Sequence, residues 1–251
     1  MFNNTLHYML DLLKYSKYRR VIDKNILLKE SHKGEKVVIV GNGPSLNEID
    51  PNIIKANKII TMNHFELYPE ASKCNVLLHC IGEPYRSDTW EDPFNILMQV
   101  PTENFLFRYD AVSYFEKIRP AKEFNIFFYL PCHGRRKSQD VDLTEPALHY
   151  QSTSQMAIAA AIYMGFSEIY LVGFDHNWLC TKEISPHFYE ERAGVDKADF
   201  TRFTYLQMIN ISKNLFEKYE LINNIVKKRN VKIYNSSPGS YLDIFPFKML
   251  V

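Results

Sequence analysis

Val37-Val38-Ile39-Val40-Gly41-Asn42-Gly43-Pro44-Ser45-Leu46 decides how this chain is read. Four β-branched residues make an apolar run of strand length, of the kind buried on both faces of a parallel sheet. They lead directly into Gly, Asn, Gly and Pro, the residues of a tight turn. Ser45 then opens a helix, with Pro44 pre-setting φ at the junction. A buried strand, a tight loop and a helix N-terminus in succession suit a phosphorylated ligand, because the helix end offers free N–H groups and the positive end of its dipole. Glycines in the loop let such a ligand approach the backbone. The spacing is neither the Gly-x-Gly-x-x-Gly dinucleotide fingerprint nor the P-loop. An ordinary first βα turn of an α/β domain also fits it.

Outward from this stretch, strand patterns fall at 36–41, 58–62, 75–80, 105–108, 126–130, 168–173 and 231–234. Helical patterns fall at 2–30, 46–56, 156–164 and 200–229, with amphipathic pieces around Trp90–Met98 and Ala111–Ile118. Strands alternating with helices predict an α/β, Rossmann-like fold with a mainly parallel sheet. Residues 131–151, which include His133-Gly134-Arg135-Arg136-Lys137, read as an exposed loop, and 177–199 as a flap over the carboxyl edge of the strands. The organisation expected is a helical extension over 1–35 and one ligand-binding domain over 36–251.

The 251 residues are 46% hydrophobic and 24% charged, enough for a substantial core. A net charge of +1 gives no global field for nucleic acid. Cys74, Cys80, Cys132 and Cys180 form no Cys-x-x-Cys pair and no zinc spacing, so buried free thiols in a reducing cytoplasm are expected. Met1–Leu13 is interrupted by Asn3, Asn4, His7 and Asp11, unlike a secretory signal. The basic and aromatic residues from Lys14 to Arg20 suit an anionic membrane surface, packing against the main domain or an oligomer contact.

In an open α/β sheet, ligands gather at the carboxyl edge. That places Asn42, Gly43, Pro44 and Ser45 together with Asn63, Thr153, Ser154 and Asp175. Asn63 ends a strand and can bond a ribose, a phosphate or a base edge, or simply form a turn. Ser152–Gln155 is rich in helix-capping residues, and the Ala-rich run that follows is a strong helix former ending at Gly165. His187, with Pro186 before it and aromatic neighbours, is the best candidate for a general base near neutral pH; His176 competes with it. Asp175 has no second carboxylate at short spacing, so no required metal is expected.

These residues resemble a known family. Val38–Leu46, Met62-Asn63-His64-Phe65, Thr153-Ser154 with its Ala-rich helix, Gly165–Asp175 and Ser185-Pro186-His187-Phe188 look like the successive motifs of the bacterial sialyltransferases of glycosyltransferase family forty-two, in order and approximate spacing. The pattern is also similar to the central domain of Maf-type flagellin glycosyltransferases and to MptE-like 6-hydroxymethylpterin diphosphokinases. The resemblance implies a GT-A-type single domain and an inverting, metal-independent glycosyltransferase. The implied co-substrate is a CMP-activated sialic-acid-like sugar, with no further cofactor. The implied acceptor is a glycan or lipid-linked glycan of surface polysaccharide or lipooligosaccharide synthesis. A cytoplasmic location follows, peripheral at the inner face of the membrane if residues 2–30 make that contact. Asn42, Gly43, Asn63, Thr153 and Ser154 would then hold CMP, and His187 would deprotonate the acceptor. The family's two leaving-phosphate tyrosines have no counterpart in His176-Asn177-Trp178-Leu179-Cys180, so His176, Trp178 and Tyr189 are the candidates to replace them. ATP-dependent diphosphoryl transfer and a non-catalytic nucleotide-sugar-binding role are the alternatives.

Overall fold

A computed structural model describes residues 2–82, 98–117, 123–132, 141–180, 187–189 and 203–250, with side chains from residue 9 onward. Its centre is a seven-stranded sheet: β1 (Lys36–Val40), β2 (Lys58–Met62), β3 (Asn75–Ile81), β4 (Asn104–Arg108), β5 (Asn125–Tyr129), β6 (Glu168–Val172) and β7 (Lys232–Asn235). The order is β5-β4-β3-β2-β1-β6-β7, and every neighbouring pair is parallel. The chain therefore winds outward from β1 to β5, then returns to the other side of β1. That reversal makes the β1/β6 boundary the topological switch point, where ligands bind in such sheets. Val37–Val40 are all buried, as an unbroken β-branched run in a central parallel strand requires.

Helices α1 (Phe2–Ile22), α2 (Pro51–Ala56), α3 (Val112–Phe115), α4 (Thr153–Tyr163) and α5 (Tyr205–Arg229) lie among the described residues. Two apolar layers result. One contains Val37, Ile39, Ile60 and Leu171 with α4 and α5; the other contains Val38, Val40, Ile59 and Val172 with Ile22, Ile54 and Val112. Every residue of α4 except Ser154 is buried, and its alanines let it lie close across β1, β2 and β3. Gly165, at φ +87°, ends α4 as the sequence predicts. Thr204 and Gln207 form a reciprocal capping box at the start of α5, and Lys227, Lys228 and Arg229 sit in its last turn.

The extension is stitched to the domain. The Asn25 side chain donates to the Phe128 and Leu143 carbonyls at 2.8 and 2.7 Å and accepts from the Phe128 N–H, so it pairs with edge strand β5. The backbone N–H groups of Glu30, His32 and Gly34 donate to the carbonyls of Tyr163, Met164 and Gly165, which end α4.

Three sequence expectations change. The helix expected over 46–56 is a 3₁₀ turn over Pro44–Glu48, then α2; Ile49 is extended, and Asp50 caps a new start at Pro51. The loop expected to be exposed over 131–151 is buried in part: Val141, Leu143, Ala147 and Tyr150 join the core beside β5, and Pro131 bridges to Ala147. Of the amphipathic piece at 111–118, the described residues 111–117 hold the end of a 3₁₀ turn at Ala111 and the one-turn α3. Trp90–Leu97, His133–Asp140, most of the 177–199 flap and the first three residues of the helix expected over 200–229 lie outside the described residues. Cys74, Cys80 and Cys132 are buried free thiols, whereas Cys180 is exposed.

Candidate functional site

The site forms where the loops after β1 and β6 meet. Gly41 N–H donates to Val172 O at 2.8 Å, and Gly43 N–H to Gly173 O at 2.9 Å. A Cβ on Gly41 would lie 2.5 Å from the Gly173 carbonyl oxygen, and one on Gly43 would lie 1.8 Å from Asp175 Oδ2. The glycines are thus required by the contact between two loops. The sequence reading assigned them to ligand approach; the space beside them is filled by protein.

Asp175 explains the loop's shape. Its carboxylate accepts from Ser45 N–H at 3.0 Å and from Ser45 Oγ–H at 2.9 Å. Burial pushes the Asp175 carboxyl above its ordinary value, and the bonds from Ser45 pull it back. Asp175 and Ser45, both expected to contact the nucleotide, hold each other. The segment after β7 supports them: Phe174 N–H donates to Ser237 Oγ at 2.8 Å, and Tyr241 N–H donates to Asp175 O at 2.9 Å.

Two amides face the same edge. Asn42 Oδ1 and Asn63 Oδ1 are buried and have no donor among the described residues. Asn63 holds φ +48°, a left-handed conformation that Asn tolerates better than most residues. Its N–H donates to Cys80 O, fixing it at the end of β2. Pro44 begins the 3₁₀ turn. Thr153 and Ser154 open α4, and the Ser152 N-cap side chain makes no capping bond. The Thr153 side chain closes on the end of β3, where a Cβ on Gly82 would be 2.8 Å from Thr153 Oγ1.

Residues 187–189 dock on this edge. Phe188 N–H donates to Asn42 O at 2.8 Å, and Asn47 Nδ2 donates to Phe188 O at 3.2 Å. The His187 ring stacks on Tyr189 at 5.0 Å, and Tyr189 stands edge-on to His64 at 5.7 Å. His64 is a group the sequence reading did not single out. Its Nδ1 lies 3.1 Å from Glu66 Oε1, and the Glu66 side chain is only 5% exposed. A carboxylate at Nδ1 holds the proton there and leaves Nε2 as the acceptor nitrogen of the neutral ring. The available signal was a His, then Glu two residues on, in the turn immediately after β2.

The three candidates for the leaving phosphate fare differently. Trp178 Nε1–H donates to Ser212 Oγ on α5 at 3.0 Å. His176, at φ +55°, places Nε2 3.0 Å from the Tyr219 hydroxyl. Burial lowers its pKa to about 4, so it is neutral at physiological pH. Tyr189 is the one of the three on the same wall as His187. Among the described residues, no group of three or more His, Cys, Asp or Glu side chains is placed to hold a metal ion.

No protein-family model matches the chain, and no curated protein matches it. Solved structures do. The sialyltransferase CstII from Campylobacter jejuni, in complex with the substrate analogue cytidine-5'-monophosphate, is 20% identical at a TM-score of 0.54, over 87% of this chain and 86% of that one. The MAf glycosyltransferase from Magnetospirillum magneticum AMB-1 is 13% identical at a TM-score of 0.50, over 92% of this chain and 38% of that one. The chain has the α/β, Rossmann-like fold of these two glycosyltransferase structures, with every described strand parallel to its neighbours.

Proposed function

We propose that this protein is an inverting glycosyltransferase that takes a CMP-activated nonulosonic acid, or a related CMP-sugar, and transfers the sugar to a glycan or lipid-linked glycan hydroxyl. The observation that carries the reading is the pair of buried carboxamide oxygens, Asn42 Oδ1 and Asn63 Oδ1, at the ends of adjacent strands β1 and β2, neither with a donor among the described residues. A buried acceptor without a donor costs about 1–3 kcal/mol, so two of them at one edge favour a ligand that brings donors. The ribose hydroxyls and exocyclic amine of cytidine are such donors. The cytidine-5'-monophosphate bound by the similar sialyltransferase supports the same choice.

In this reading the phosphate lies at the N-terminus of α4. The N–H groups of Thr153 and Ser154 and the helix dipole meet its charge. His187 removes the proton from the acceptor hydroxyl as its oxygen attacks the anomeric carbon. The bond from that carbon to the phosphate oxygen breaks, and CMP leaves with the electron pair. Tyr189 stands beside the departing phosphate. Asp175 acts through Ser45, holding the loop in register, and no step calls for a metal ion.

The test is a thermal-shift series with CMP, UDP, GDP and ATP, each with Mg²⁺ or with chelator. A ligand of the folded state raises Tm according to its concentration relative to Kd. Stabilisation by CMP in chelator is the expected result. Stabilisation by ATP only with Mg²⁺ would replace the reading with diphosphoryl transfer, and no response to any nucleotide would overturn it.

A further inference from the structure

The outward face of α1 is unusual for a domain of this composition. Asp11, Tyr18, Ile22 and Asn25 face the domain, whereas Met9, Leu10, Leu12 and Leu13 are exposed, Leu13 to 67%. At 100° per residue, Met9, Leu13, Ser16 and Arg20 form one outward stripe. Leu12 and Arg19 flank it on one side, Leu10 and Lys17 on the other. On this face the exposed apolar residues Met9, Leu10, Leu12 and Leu13 are followed by exposed Lys17, Arg19 and Arg20, with exposed Lys24 just beyond in the 3₁₀ segment Asp23–Leu28.

Charge selects what this face meets. Residues 1–29 carry a net +4 in a chain of net +1, leaving −3 for the remainder. A second copy docked face to face would bring two such segments together, whereas an anionic surface attracts the segment and repels the rest. Position adds to this. Lys14 and Tyr18 both lie against Tyr109, each 5.5 Å from its ring, and Tyr109 directly follows β4. The start of α1 is therefore at the carboxyl edge of the sheet, the edge that carries the candidate site. No described helix is long and apolar enough to cross a membrane.

We infer that the outward face of α1 docks on an anionic lipid bilayer, with Met9, Leu10, Leu12 and Leu13 in the apolar layer and Lys17, Arg19 and Arg20, joined by Lys24 of the 3₁₀ segment that follows, at the phosphates. Docking would hold the carboxyl edge of the sheet towards the membrane. Delivery of a lipid-linked acceptor to His187 is the consequence, and that consequence alone rests on the glycosyltransferase reading.

The test is sedimentation of the full chain with sucrose-loaded vesicles, either phosphatidylcholine alone or equal parts phosphatidylcholine and phosphatidylglycerol. Binding to the mixed vesicles, weak binding to phosphatidylcholine alone, and loss on raising salt to about 1 M are expected. Lys17→Gln with Arg20→Gln should lower partitioning about thirty-fold, and Met9→Gln with Leu13→Gln by about tenfold or more. The CMP thermal shift of both variants should equal wild type. Equal binding to the two vesicle types, or variants that bind like wild type, would overturn the inference. So would a dimer in sedimentation velocity that Met9→Gln with Leu13→Gln disperses, without vesicle binding. Vesicle binding without any response to CMP would leave the docking in place and remove the donor assignment.

Discussion

Removing the Asp175 carboxylate should loosen the loop that follows β1, and the size of the effect can be worked from two bonds. Oδ1 accepts the Ser45 N–H at 3.0 Å and Oδ2 accepts the Ser45 hydroxyl at 2.9 Å, both buried. A hydrogen bond to a charged group contributes about 1.5–3 kcal/mol, and a buried N–H left without a partner costs about 1–3 kcal/mol. Burial of the carboxylate offsets part of this, as its raised pKa shows. Asp175→Ala should therefore destabilise by about 3 kcal/mol, and Ser45→Ala, which loses one bond and keeps the N–H partner, by about 1.5 kcal/mol. At about 2–4 °C per kcal/mol for a domain of this size, these are Tm losses of roughly 9 and 4 °C. Asp175→Asn keeps an oxygen for the Ser45 N–H and removes the buried charge, so it should stay within about 1 kcal/mol of wild type. Urea titrations followed by circular dichroism supply the free energies, and the double variant Ser45→Ala with Asp175→Ala should cost less than the sum. An Asp175→Ala protein as stable as wild type, or strict additivity in the cycle, would refute the assignment of the carboxylate to the loop.

The site makes four further predictions. His187→Ala should lower turnover about 10²–10⁴-fold with CMP affinity unchanged, measured by transfer assays and calorimetry; equal losses in binding would remove its role as base. Asn63→Gly keeps the positive φ and deletes an oxygen with no donor among the described residues. Stability without ligand should hold while CMP affinity falls about five- to thirtyfold, and an unchanged affinity by calorimetry would detach Asn63 from the nucleotide. Gly43→Ala should destabilise and abolish CMP binding, because its Cβ would meet Asp175 Oδ2 at 1.8 Å; a variant that melts like wild type would show that the two loops can part. Burial lowers the pKa of both His79 and His176 from 6.5 to about 4. Both accept a proton on unfolding between those values, so stability should rise with pH through that window and be lost as pH falls through it. Two such groups give a slope of up to about 2.7 kcal/mol per pH unit. His79→Gln should halve their share in urea titrations across pH, and an unchanged slope would exclude His79.

The parallel sheet was legible because its strands announce themselves. Val37–Val40 and Ile169–Val172 are apolar runs bounded by Gly41 and Gly173, and each lies at the position its pattern predicts. The long helix α5 was legible from its period, and the end of α4 from Gly165. What failed had a tertiary cause. A helix was expected straight after Gly43, yet Asp175, 130 residues away, takes the Ser45 N–H and hydroxyl and leaves only a 3₁₀ turn. Residues 131–151 read as an exposed loop because His133-Gly134-Arg135-Arg136-Lys137 leads into Gln139-Asp140-Val141-Asp142. Val141, Leu143, Ala147 and Tyr150 nonetheless cover a core beside β5 that no local period encodes.

The Gly41-Asn42-Gly43 motif shows how a correct location can rest on an incomplete reason. Glycine next to a strand end reads as room for a ligand, and the edge it marks is one where buried groups lack partners among the described residues. The room itself is occupied by Gly173 and Asp175, so the glycines bring two loops into register and the ligand is left to the residues between them. Asn42 is that residue in the first loop: its backbone carbonyl holds Phe188, and its side-chain oxygen faces the edge without a donor among the described residues. One residue thus joins the segment bearing His187 to the predicted nucleotide subsite. Asn42→Gly, which leaves the carbonyl in place, should weaken CMP binding while the 187–189 segment stays docked. Loss of the docked segment in hydrogen exchange, with CMP affinity intact, would assign Asn42 to the segment alone and move the subsite to Asn63.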